Sequence, residues 1–326
     1  MKLYATLPKF EFPSTTNNSP FERQKKIVNR LKLDYNIDNI ESELLTWNYV
    51  SEKFLPFRYS QFLQNSYSSF KNGYNTDFLT IAKNGDKLLT PCNFPLNKSY
   101  IIDRPEYLNI PSFATDNLTP IFENLNKSVL MALSDCISAA DSILNGENKV
   151  VAIPCHPGHH SNNNYFGGYC YINNALCAYK YLKENGKKPC IIDLDFHLGD
   201  GFNGCKDAVS ININPYVDYP YYSVDNLKQF SFNGGINIES YNKLLNNAFE
   251  YLSNKNDYDT VIISFGQDTY LNDPEVRSEN RTKIDLQDYK LMSIKQFTND
   301  KNVLAIQEGG YSDKTDIIMS NFLSCL

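Results

Sequence analysis

Along the second half of this chain, short apolar runs alternate with longer stretches of helical period. VVAI (150–153), CIIDLDF (190–196), VSINI (209–213), TVIISFG (260–266) and NVLAIQ (302–307) are apolar on successive positions, so each is predicted to be a strand buried on both faces. Between and after them, the sequence predicts helices over about 173–184, 240–253, 286–297 and 313–324. Doubly buried strands alternating with helices make a parallel sheet covered on both sides, an α/β fold. Upstream, a first strand is expected over 1–7. A helix should open at SPFE, with Ser19 as cap, Pro20 at the first helical position and Glu22 completing a capping box. A further helix is expected over about 59–70, with Phe62, Leu63 and Tyr67 on one face, and another over about 124–144, stopped by Asn145-Gly146.

One stretch breaks the pattern. Residues from about 85 to 120 hold five prolines and no clear period. An irregular segment of that length inside a compact domain is usually functional, which points to a site rim or a subunit contact, with Asp103, Glu106 and Asp116 as its acids. No linker, repeat or composition break divides the rest, so 1–326 is read as one domain.

Composition narrows the function classes. With 42% hydrophobic residues over 326 positions the chain can bury a large core, and a net charge of −6 argues against a nucleic-acid binder, which needs a basic face. The eight cysteines form no C-x-x-C pair and several sit in apolar runs, as reduced thiols do. The opening MKLYATLPKFEF lacks the apolar core of a secretory signal and no run is long enough to span a bilayer. The expectation is a soluble protein of the cytoplasm, with the nucleus as the second location, and without membrane or nucleic-acid partners.

Ligands of open parallel sheets sit at the carboxyl ends of the strands, and four predicted strands deliver polar residues there: PCHPGHH (154–160), HLGDG (197–201), QDT (267–269) and EGGY (308–311). All four histidines fall in the first two segments. Asp195 and His197, two apart on extended chain, point to one side and can share a divalent ion with Asp268 from a neighbouring strand. Two carboxylates and an imidazole suit zinc or ferrous iron, and three protein ligands leave a position open for chemistry. Singly, a strand-end Asp is more often a cap, a His-His pair more often surface and EGGY merely a flexible turn; four such strand ends together are harder to explain that way. His159 and His160 then become a general base and acid, Asp193 and Asp200 the carboxylates that orient them, and Tyr311, after Gly309-Gly310, an oxyanion donor.

These motifs resemble those of the zinc-dependent histone deacetylase family, in that family's order: PGHH (157–160), GGYCYINNA (167–175), DLDFHLGDG (193–201), SFGQDTYLNDP (264–274) and EGGY (308–311). FGGYCYINNA and GQDTYLNDP are similar to the acetylpolyamine amidohydrolases within it. The resemblance implies the arginase/deacetylase fold, a single three-layer domain with a largely parallel eight-stranded sheet flanked by helices. It implies the same metal ligands, Asp195, His197 and Asp268, and the same catalytic set, His159, His160, Asp193, Asp200 and Tyr311. It also implies a potassium ion held by Asp193, Asp195, His197, Ser210 and the Ile211 carbonyl, and a channel walled by Tyr169 and Tyr219 with the Gly168 carbonyl receiving the substrate amide. Three positions depart from the family pattern: Cys155-His156 stands for Arg-Pro, Leu198 for a second histidine and Gln267 for an apolar residue.

The reaction expected is therefore hydrolysis of an acetamide, with small acetylated amines such as polyamines as leading substrates and acetyl-lysine in proteins as the alternative. Asp116 belongs on the rim, where it would hold a second ammonium, and the rim loop is compatible with a homodimer. A ureohydrolase of the same fold would need a second Asp/His set that the sequence lacks. A non-catalytic acyl-lysine reader would not need His159, His160 and Tyr311.

Overall fold

The computed structural model describes residues 1–10, 19–73, 80–81, 87–90 and 106–326. The chain opens with β1 (Lys2–Tyr4), α1 (Pro20–Tyr35), β2 (Asn39–Ile40), α2 (Trp47–Lys53) and α3 (Phe57–Gly73). Short pieces follow: β3 (Thr80–Ile81), β4 (Lys87–Leu89), α4 (Ile110–Phe113) and β5 (Ile121–Phe122). After them come α5 (Leu125–Leu144), β6 (Lys149–Ala152), α6 (Asn174–Glu184), β7 (Pro189–Asp193), β8 (Ala208–Ile213), β9 (Lys228–Phe232) and α7 (Ile238–Lys255). The chain ends with β10 (Thr260–Phe265), α8 (Lys295–Thr298), β11 (Asn302–Gln307) and α9 (Thr315–Leu323).

Eight strands form one sheet in the order β2-β1-β6-β11-β10-β7-β8-β9, and every pairing is parallel. Alternate residues of each strand serve opposite faces, so Leu3, Val151, Ile192, Ile263 and Ala305 pack with α1, α7 and α9. Tyr4, Val150, Ile191, Ile262 and Leu304 pack with α5 and α6 on the other side. A third apolar cluster joins α2, α3, β4 and β5 to the outer side of α5. The Phe265 and Phe322 rings stack at 3.7 Å where β10 meets α9; burying one such ring stabilises by roughly 1.5–3 kcal/mol. Together the layers make a single α/β domain. Among the described residues no helix is long and apolar enough to cross a membrane.

Several sequence expectations are modified. The strand over 190–196 stops at Asp193, where the β10 ladder ends at Ser264, so Asp195 and His197 stand on the loop beyond. The helix over 286–297 is broken: a 3-10 turn covers Leu286–Leu291, and α8 begins only at Lys295. Met292, extended at φ −63° and ψ 130°, and Ile294 both insert into the core, which a continuous helix would not allow. Ser19 stands at the N-cap position of α1 and Pro20 starts the helix, but the Ser19 side chain makes no cap hydrogen bond and no capping box forms; its carbonyl accepts the first helical bond from the Arg23 N–H. The irregular region contributes β4, which pairs antiparallel with β3 and β5 on either side of it in sequence, while Asp103 and the Glu106 side chain lie outside the described residues.

Candidate metal centre and active site

The polar strand ends belong to β6, β11, β10 and β7, four neighbours in the middle of the sheet. Asp195 and His197 follow β7 and Asp268 follows β10, and one ligand atom from each lies within 4.8 Å of the others. His197 Nδ1 is 3.0 Å from Asp268 Oδ2 and 3.3 Å from Asp195 Oδ1. Backbone amides hold the carboxylates: Phe196 N–H donates to Asp268 Oδ1 at 3.0 Å, His197 N–H to Asp195 Oδ1 at 2.9 Å and Gly309 N–H to Asp195 Oδ2 at 3.0 Å. Gly309 is required by closeness, since a Cβ there would stand 2.7 Å from Asp195 Oδ2 and 2.8 Å from Asp268 Oδ2.

This donor set fits a divalent cation. Burial raises the Asp268 carboxyl to about 6, and the charge of Asp195 adds to it. Burial also acts on Asp195, but His159 and then His197 outweigh it and hold that group low. On His197 burial is overcome by the two carboxylates, which push the imidazole well above its ordinary range. Two carboxylates buried together need a positive charge between them. Either the His197 proton supplies it or a metal ion does, leaving the imidazole neutral as a ligand.

The loop after β6 brings in the paired histidines, whose ring centres lie 3.9 Å apart. His160 Nδ1 is 2.8 Å from Asp200 Oδ1, and Tyr222 Oη donates to the other Asp200 oxygen at 2.6 Å. His159 Nδ1 lies 3.4 Å from Asp193 Oδ2, and its Nε2 is 3.5 Å from Asp195 Oδ1. Their environments separate them. Burial, then the charge of His159, lowers His160 to about 4, whereas on His159 burial is overcome by Asp195 and Asp193, which push it up to about 10. A cation on Asp195 would cancel much of that push.

Glu308, at the end of β11, anchors the histidine loop. It accepts from the Gly158 and His159 N–H groups at 2.5 and 3.2 Å and from Ser264 Oγ at 2.7 Å. Arg23 reaches in from α1: its Nη1 donates to the Gly310 carbonyl at 2.7 Å and its guanidinium carbon is 5.6 Å from the centre of the Tyr311 ring. The Tyr311 N–H donates to Asp273 at 2.7 Å. Sequence reasoning singled out none of Glu308, Arg23, Asp273 and Tyr222 for a role. Glu308 and Asp273 carried a signal, as acids of the EGGY and TYLNDP motifs; Arg23 looked like any charge on an amphipathic helix.

A cavity of about 530 Å³ is lined by His159, His160, Asp195, His197, Asp268 and Tyr311. Tyr169 lies on its Tyr311 side, ring centres 5.9 Å apart, and Tyr219 stands edge-on to His160 at 4.8 Å. Gly168 and Tyr169 both have positive φ, +53° and +63°. A Cβ on Gly168 would clash with the His160 ring at 2.3 Å. Asp116 lines the cavity, yet its carboxylate is spent on the loop, accepting from Gly168 N–H at 2.5 Å, from Thr119 Oγ1 at 2.8 Å and from the Leu118 and Thr119 N–H groups. Beneath the centre, Ser210 Oγ donates to Asp193 Oδ2 at 3.0 Å, and Ile211 follows on buried β8.

Of the departures, His156 is buried with its Nε2 3.0 Å from Ser128 Oγ and packs against Tyr171, and burial lowers it to about 3. Cys155 and Leu198 are buried in apolar clusters. Gln267 is buried, and its side-chain amide has no hydrogen-bond partner among the described residues; the structure gives no reason for a polar group there.

A histone deacetylase domain model matches residues 58–212, which ends before the strand that brings Asp268. Acetylpolyamine amidohydrolase 1 of Pseudomonas aeruginosa is 27% identical over 218 residues, 61% of this chain and 62% of that protein, so the match spans less than two thirds of its length. Acetylpolyamine amidohydrolase 2 of the same organism is 26% identical over 77% of this chain and 74% of its own. The crystal structure of an acetylpolyamine aminohydrolase from Burkholderia pseudomallei has the same fold, with a TM-score of 0.79 at 16% identity, covering 100% of this chain and 94% of that one. Residues 58–212 are thus similar to a histone deacetylase domain, and the chain shares its fold from end to end with an acetylpolyamine aminohydrolase.

Proposed function

We propose that this protein is a metal-dependent amidohydrolase that removes acetyl groups from small acetylated amines, acetylated polyamines first among them. The observation that carries this reading is the convergence of Asp195, His197 and Asp268 with His159, His160 and Tyr311 on one cavity. The relatives named for acetylpolyamines and the net charge of −6, which favours cationic ligands, support the substrate class.

Zinc, or ferrous iron, held by the three ligands would supply Lewis acidity toward a carbonyl and make a water a better nucleophile near neutral pH. Tyr169 and Tyr219 admit a thin alkyl chain and exclude bulk, and the Gly168 carbonyl accepts the substrate amide N–H. His160, oriented by Asp200, takes a proton from the attacking water, whose oxygen bonds to the carbonyl carbon. Tyr311, kept as a neutral phenol by burial, donates its O–H to the carbonyl oxygen as that atom gains charge. The C–N bond then breaks, the histidine pair returns a proton to the departing amine, and acetate and a free amine result. Asp193, Asp195, His197, Ser210 and the Ile211 carbonyl are the proposed potassium site, which would steady Asp193 behind His159.

The test is a panel of acetylputrescine, acetylspermidine, acetylcadaverine and an acetyl-lysine peptide on zinc- or iron-loaded protein. Acetate release from the small amines is expected, and preference for the peptide would shift the substrate to proteins. Tyr311→Phe should cost about 10²–10³ in kcat with KM little changed. No release from any substrate overturns the reading.

A further inference from the structure

We propose that the mouth of the cavity recognises a zwitterion: Glu275 takes the ammonium and Arg277 the carboxylate of a free α-amino acid acetylated on its side-chain nitrogen, such as Nε-acetyl-lysine or Nδ-acetyl-ornithine. This rests on the deacetylase reading above and narrows its substrate class. Glu275 and Arg277 both line the cavity that ends at His160 and Asp268. They are exposed, while Val276 between them is buried at 2% on a turn closed by its N–H to the Asp273 carbonyl, so this turn sets both charged residues at the cavity mouth.

The other acids of the mouth are committed. Asp116 accepts four hydrogen bonds from its own loop and from Gly168. Asp218 accepts from Tyr219 N–H at 2.8 Å and Asn280 Nδ2 at 2.7 Å. The Glu275 carboxylate accepts no hydrogen bond and forms no ion pair among the described residues, and its charge reaches the channel wall. After burial it is the next cause that pushes the Tyr169 phenol up to about 12.

Arg277 is held in place without being neutralised. Its Nη2 donates to Tyr221 Oη at 2.8 Å, and its guanidinium carbon lies 5.7 Å from the centre of that ring. No carboxylate pairs with it among the described residues, and Glu279, bonded to Ser278 and to its own backbone, feels its charge last. A guanidinium has five N–H donors, so one bond to Tyr221 leaves a fork that matches a carboxylate. A diamine would meet repulsion from this cation, whereas an α-amino acid carries both charges on one carbon. An acetyl-lysine inside a protein has neutral amides at those places and offers neither group.

Two substrate pairs isolate the effect. Nε-acetyl-lysine and N-acetylcadaverine differ only by the carboxylate, as do Nδ-acetyl-ornithine and N-acetylputrescine, and the ammonium sits at the same distance within each pair. On metal-loaded protein the amino acid of at least one pair should have the higher kcat/KM, by about tenfold for a charged hydrogen bond at a partly exposed site. Arg277→Met should bring that ratio to within about twofold of one, and Glu275→Gln should lower both members of the pair together. Because each ratio is taken on a single preparation, a partly unfolded variant does not distort it. Turnover of the diamines with a wild-type ratio at or below one in both pairs overturns this inference and leaves the deacetylase reading standing. A preference that survives Arg277→Met also overturns it; no turnover of any of the four overturns it too, and overturns the deacetylase reading with it only if acetylspermidine and the acetyl-lysine peptide are inert as well.

Discussion

At the scale of single residues the site is set by atoms that must come close. Gly309 gives the case: its missing side chain leaves room beside both Asp195 and Asp268, and its N–H holds one of them. Gly309→Ala is expected to move a carboxylate out of shared reach and weaken zinc affinity by about 10–100-fold, measured by competition with a chromophoric chelator; an unchanged affinity would show the carboxylates free to adjust. The chemistry-bearing residues were legible because they are short motifs of unusual composition: paired histidines, an Asp-x-Asp-x-His and a Gly-Gly-Tyr. The roles of Arg23, Glu308 and Tyr222 were not, even though Glu308 stands in EGGY, because what they do is hold something distant in sequence. Arg23 meets Gly310 from another helix and Glu308 meets the histidine loop from another strand. Asp116 was read as a rim acid for substrate, yet four hydrogen bonds bind it to the loop that presents Gly168.

At the scale of elements, the packing of α5 on β1 contains a buried acid that makes stability depend on pH. Asp135 accepts from Thr6 N–H at 2.8 Å and Thr6 Oγ1 at 2.6 Å, and burial raises its carboxyl to about 6. A folded value above the unfolded one means that the folded state binds the proton more tightly. Its contribution is therefore full below about pH 4 and is lost as pH rises through 6. Between pH 5 and 7.5 the wild type should lose about 1 kcal/mol relative to Asp135→Asn in denaturant unfolding; a constant gap between the two would rule this out. Elements with strong patterns were legible, namely the five apolar strands and the long helices. β2 and β9 were not, since they lie at the sheet edges and β9 is half exposed, which leaves no continuous apolar run to find. The single helix expected over 286–297 failed because helical spacing does not report that Met292 and Ile294 are both drawn into the core.

At the scale of the whole molecule, the buried carboxylates link metal binding to folding. Zinc at a hundred times its dissociation constant should add about 2.7 kcal/mol of stability, seen as a melting temperature several degrees higher. Asp268→Asn should abolish most of that rise, and an equal rise in the variant would place the ion elsewhere. The sequence by itself determined the fold class and the residue types at each strand end, because period and composition are local properties of the chain. It did not determine which strand ends would be neighbours. β6, β7 and β8 run outward in turn, but β10 returns beside β7 and β11 inserts between β10 and β6. Four polar strand ends drawn from residues 154 to 311 thereby become adjacent at the centre of the sheet. That ordering, and with it the meeting of Asp268 with His197, arises from long-range strand pairing and helix cover, which no local stretch encodes alone.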